Sequence, residues 1–85
     1  MEKLIRLYYL PEMDTLDLWL DDPKKEAVGE PIGDNLVLKL DVNSNVVGVE
    51  VLSLSKLDEE DLARLPKEVR ETLISALRKI ASSTP

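Results

Sequence analysis

Residues 35–54, NLVLKLDVNSNVVGVEVLSL, constrain the fold more than any other part of the chain. Apolar residues alternate with polar residues or glycine on both sides of a polar turn, and side chains along a strand point alternately to its two faces. Leu36, Leu38 and Leu40 therefore share one face of a strand, and Val47, Val49 and Val51 one face of the next. A two-residue loop at Asn43-Ser44 sets Leu40 opposite Val47, Leu38 opposite Val49 and Leu36 opposite Val51; Ser suits the left-handed conformation of such a loop less well than Gly, which leaves its length open by one residue. One register thus puts all three apolar pairs on a single face, as a buried face requires. The opposite face, with Val37, Lys39, Asp41, Val46, Gly48 and Glu50, is mixed.

A second hairpin precedes it. LIRLYYL at residues 4–10 is rich in strand-forming residues, and TLDLWL at 15–20 alternates cleanly. Pro11 and Asp14 are turn residues between them. Closing that turn pairs Tyr9 with Leu16, Leu7 with Leu18 and Ile5 with Leu20, which places Tyr9 in the core. On the other face the same register sets Arg6 opposite Trp19, where a cation–π contact is expected. Residues 26–32, EAVGEPI, form a weaker strand, because Gly29 and Pro31 confine it to a sheet edge or a bulge.

After Leu54 the apolar period changes from two to 3.6. Asp58 is placed as an N-cap with Asp61 completing a capping box, and Leu57 and Leu62 as a hydrophobic staple around a short helix over 59–65. Pro66 ends that helix and suits the first turn of a second, over 67–81. There Val69, Leu73, Ala76, Leu77 and Ile80 form one stripe, with Ile74 beside it. The expected architecture is one α+β domain spanning residues 1–85. A five-strand antiparallel β-meander (4–54) is followed by a helical segment (57–81), one short and one longer helix packed on the sheet.

Composition narrows the chemistry. The 85-residue chain has neither cysteine nor histidine, which removes disulfides, the usual zinc sites, thiol nucleophiles and the commonest general base. Its serines lack both a nucleophile-elbow motif and a histidine to activate them. A net charge of −6 disfavours nucleic-acid binding, which needs a basic footprint. No apolar run reaches the roughly 20 residues of a membrane span, and no signal peptide opens the chain, so a cytoplasmic protein is expected.

Several stretches resemble the small prokaryotic family called domain of unknown function 2283. YLPEMDTL at 9–16 resembles its opening Y-D-P-E-x-D-x-L, and GDNLVL at 33–38 its x-D-G-V-I-L turn and strand. VVGVEVL at 46–52 resembles its L-V-G-I-E-I-L strand, and Ser55-Lys56 stands near its closing A-S-K. Leu10, Asn35 and Ser44 depart from residues usual in the family, and Asp17 and Trp19 replace its common Tyr and basic residues. The resemblance covers about residues 4–57 and leaves the helices outside. It implies a compact β-meander and no established activity; an antitoxin-like role is one version of what it suggests.

The remaining constellations are weighed against plainer readings. Asp41-x-Asn43-x-Asn45 looks like the start of a calcium loop, but Val46 and Leu52 stand where that motif needs Gly and Glu, so a turn is expected. Lys39 and Glu50 are placed as a diagonal cross-strand ion pair. Asp14, Asp17, Asp21 and Asp22 read as a solvated edge. Arg6, Tyr8 and Trp19 are the candidate interface residues, on a face that the helices or a loop would otherwise cover. The expectation is a non-enzymatic module, without cofactor or metal, that binds a protein partner or a second copy. The alternative is a small metal-dependent hydrolase using Asp14, Asp17 and Glu50.

Overall fold

A computed structural model describes residues 5–83 and contains the expected α+β architecture. The five strands are β1 (Arg6–Leu10), β2 (Thr15–Trp19), β3 (Val28–Ile32), β4 (Leu36–Leu40) and β5 (Val46–Val51), followed by helices α1 (Glu59–Ala63) and α2 (Lys67–Ser83). All strand pairs are antiparallel, in the lateral order β1-β2-β5-β4-β3. The chain thus forms a hairpin, β1–β2, and a three-strand meander, β3–β4–β5, joined through β5. A strict meander would have set β3 beside β2. Instead β3, with Gly29 and Pro31, lies at the edge that those residues demand, and the more apolar β5 lies at the centre. The crossing from β2 to the far edge is tied down at both ends. Leu20 and Asp21 donate to the Val47 carbonyl, and Ala27 donates to that of Leu40.

The first hairpin has the expected register, with Tyr9 opposite Leu16, Leu7 opposite Leu18 and Arg6 opposite Trp19. In the second, Leu36 faces Val51 and Leu38 faces Val49, but Leu40 faces Val46 rather than Val47. The loop is one residue longer than two. Asp41 N–H donates to the Asn45 carbonyl (2.9 Å), Ser44 N–H to that of Asp41 (3.0 Å), and Ser44 takes the left-handed conformation at φ 66°. Such a loop alone would move every later pair off register. A bulge in which Val46 and Val47 together oppose Leu40 restores it. The Asp41 carboxylate accepts from the N–H groups of Asn43 (2.8 Å) and Asn45 (2.9 Å). The calcium-like motif is therefore a turn, as expected, with its leading carboxylate spent on the backbone.

The register lines up apolar rows across the sheet. Tyr9, Leu16, Val51, Leu36 and Ile32 form one, and Leu7, Leu18, Val49 and Leu38 the next. Leu65 and the α2 residues Val69, Leu73 and Ala76 complete this core, with Leu77 and Ile80 packed against it. Leu16, Leu18, Leu36, Leu73, Val49 and Val51 are fully buried, each contributing about 1.5–3 kcal/mol. Asp58 and Asp61 form the expected reciprocal capping box at α1, and Leu57 and Leu62 pack on the core. Tyr9 is a correction: it shares the core face but is 39% exposed, because β1 is an edge strand covered only in part.

Candidate interaction face

Both helices pack on one face of the sheet, so among the described residues the other is built from strand residues and the segment around residue 26. Its two central rows are Arg6, Trp19, Gly48, Lys39, Gly29 and Tyr8, Asp17, Glu50, Val37, Pro31. The three candidate interface residues are thus brought together: Arg6 and Tyr8 are exposed on β1, and Trp19 is half-buried on the neighbouring strand. Tyr8 is 52% exposed, and Leu10, at the end of the same strand, is exposed as well.

The cation at the tryptophan is not the expected one. Arg6 is opposite Trp19 in register, but the Lys39 ammonium lies over the ring, 5.9 Å from its centroid. Gly48 makes this reach available, since the strand between Trp19 and Lys39 carries no side chain at that point. A Cβ at Gly48 would come 2.8 Å from Trp19 Cε3 and 2.9 Å from the Leu18 carbonyl oxygen, so the indole lies directly on the glycine. The glycine is a floor for the ring.

Lys39 is also the centre of an ionic cluster. Its Nζ is 3.2 Å from Glu50 Oε1, the expected diagonal pair, and 3.5 Å from Glu26 Oε2. Burial lowers the lysine pKa, but the hydrogen bond and charge of Glu50, joined by Glu26, outweigh it and hold the ammonium above its ordinary value. Asp17 is less fortunate. It lies directly opposite Glu50 on the neighbouring strand, an arrangement of like charges that destabilises a sheet. Burial first, then the facing Glu50 carboxylate, raise the Asp17 pKa; Lys39 opposes them and Glu26 adds to them. The sequence places Glu26 at the start of the third strand, but β3 begins only at Val28; Glu26 precedes it, at the end of the crossing, and from there reaches Lys39.

Asp14 takes no part in this face. It is left-handed at φ 57°, and its carboxylate accepts from the Ser55 N–H (3.1 Å) and hydroxyl (2.6 Å). Its carbonyl accepts from Leu54 N–H at 2.7 Å. Asp14 thus clamps the first hairpin to the segment leaving β5 and is a structural residue, not a partner of Asp17 and Glu50. Among the described residues, no three acidic side chains converge in a way that could hold a metal ion. Asn35, 8% exposed, closes the other side of that segment: its amide accepts from Ser53 N–H (2.7 Å) and donates to the Ser53 carbonyl (2.9 Å).

A family model described as "Protein of unknown function (DUF2283)" matches residues 6–55. The chain belongs to this family. The DUF2283 match begins with β1 and ends on Ser55, so it contains all five strands and both partners of the Asp14–Ser55 clamp. Two of the stretches that resemble the family, at 9–16 and at Ser55-Lys56, are thereby joined in space. The helices that cover the DUF2283 sheet lie outside the match. Comparison with curated proteins and with solved structures finds no match. No described helix is long and apolar enough to cross a membrane.

Proposed function

We propose that this DUF2283 protein is a non-enzymatic, cytoplasmic binding module that presents the helix-free face of its sheet to a partner protein. The observation that carries this reading is the composition of that face. It pairs exposed Tyr8 and half-buried Trp19 with an ionic cluster in which Asp17 and Glu50 oppose each other and the one lysine, Lys39, is paired with Glu50 and Glu26. Aromatic residues and arginine are the usual anchors of protein interfaces, and a basic side chain from a partner would relieve the facing carboxylates. The acidic chain supports a protein partner over nucleic acid. An antitoxin-like role is one form such a module takes.

Affinity capture from the native host tests the reading, with the wild-type chain and a Tyr8→Ser/Asp17→Asn variant as baits. A protein retained by the first and lost from the second is expected. A wild-type bait that retains nothing specific, or a variant that retains the same protein equally, defeats the proposal.

A further inference from the structure

The two edges of the sheet are not equivalent. β3 is blunted by Gly29, Glu30 and Pro31, devices that stop another strand from adding to an edge. β1, RLYYL, carries no proline, no glycine and a single charge, Arg6. Apart from its pairing with β2, it makes no backbone hydrogen bond among the described residues. Five of the eight exposed large apolar residues among the described ones, Ile5, Tyr8, Tyr9, Leu10 and Met13, lie on or beside it. Tyr9 is opposite fully buried Leu16 and yet exposed, so the core stops one strand short of complete cover. Beside it, a groove of about 180 Å³ between β1 and α2 has Ile5, Leu7, Leu18 and Ala76 in its lining, together with Thr72, Ser75 and Lys79.

We infer that β1 pairs with β1 of a second copy, antiparallel about a two-fold axis, giving one continuous sheet. In an antiparallel pair the outward-pointing backbone groups of both strands must meet, so residues of like parity face each other. The register of full overlap then centres on Tyr8 against Tyr8. Leu7 faces Tyr9 of the second copy, which brings that tyrosine to the mouth of the groove and covers it. Arg6 faces Leu10 of the second copy, two residues before Glu12 in the single helical turn Pro11–Met13 that ends β1, so the one cation on β1 comes within side-chain reach of an anion twice by symmetry. A strand of another protein is the competing occupant, but this internal match of Arg6 to Glu12 and Leu7 to Tyr9 favours the chain itself. The inference does not depend on the proposed partner at Trp19.

Sedimentation equilibrium of the full chain from micromolar to millimolar concentration tests it. Wild type is expected to show a monomer–dimer equilibrium, weakened about tenfold by Leu10→Lys, which sets like charges opposite each other twice. Arg6→Glu and Glu12→Arg each weaken it, and the double charge swap restores it. Val28→Lys on the other edge and Asp17→Asn leave it unchanged. Amide exchange in wild-type β1 slows as concentration rises, a readout independent of any variant. A strict monomer at millimolar concentration, a double swap as weak as its singles, or dimerisation lost through Val28→Lys overturns the inference.

Discussion

The two faces of this sheet are made by the same five strands and obey opposite rules. On the helix-covered face the central row is Leu7, Leu18, Val49, Leu38; one residue along, on the other face, it is Tyr8, Asp17, Glu50, Val37. The first row is what burial selects, and it accounts for the fold. The second sets two carboxylates against each other beside an aromatic surface, an opposition that works against folding. A sheet closed on one side is free to carry costly chemistry on the other, and that second face is the one proposed above to meet a partner.

The largest effect that sharpens the comparison comes from the covered face. Leu73→Ala removes a fully buried side chain from α2 and is expected to cost about 3 kcal/mol in chemical denaturation, much of the roughly 5–10 kcal/mol of a domain this size. It also tests whether the helical segment outside the family match is needed, because that segment supplies the cover. Next is Gly48→Ala. Its methyl collides with the Leu18 carbonyl as well as the ring, so a loss of about 1–3 kcal/mol is expected, together with a shift in Trp19 fluorescence. If Gly48→Ala is neutral, the indole does not rest on the strand.

Lys39→Met comes third. It leaves Glu50 and Glu26 without their shared cation and is expected to cost about 1 kcal/mol near neutral pH. The sign follows from the raised lysine pKa: this stability is fully present below the ordinary lysine value of 10.5 and fades as pH rises through the higher folded value. Equal stability of Lys39→Met and wild type at neutral pH would show the cluster to be loose.

Much of this contrast was legible in the sequence. Period-two alternation located the strands, and aligning apolar pairs gave the registers of both hairpins, because burying one face leaves little choice. The capping box and the α2 stripe are local signals and were equally plain. What escaped is the non-local pairing. Nothing in β2 states that β5 will be its neighbour, although Pro31 and Gly29 already confined β3 to an edge or a bulge, and a simple meander of five strands gives it no edge. That missing pair hid the Asp17–Glu50 opposition and the Lys39–Trp19 contact, both of which span the β2–β5 junction. Reading only within hairpins assigned the tryptophan to Arg6. The extra residue in the Asp41 loop and the bulge that offsets it leave Leu36 and Leu38 in the same pairs, so the apolar pattern could not reveal them.

Two aspartates show the same division in their titration. Asp41 has a lowered pKa, from the Asn45 backbone hydrogen bond first, and its contribution to stability is present above the ordinary value of 3.8 and lost as pH falls through the lowered one. Asp17 has a raised pKa and the opposite sign: ionised, it costs stability, and the cost disappears as pH falls through the raised value. The smallest expected effect is therefore the most telling. Chemical denaturation of Asp17→Asn at pH 7 should show a variant about 0.5 kcal/mol more stable than wild type, with the gain vanishing in acid. A variant less stable than wild type at pH 7 would contradict the claim that this face holds its carboxylates at a cost to the fold.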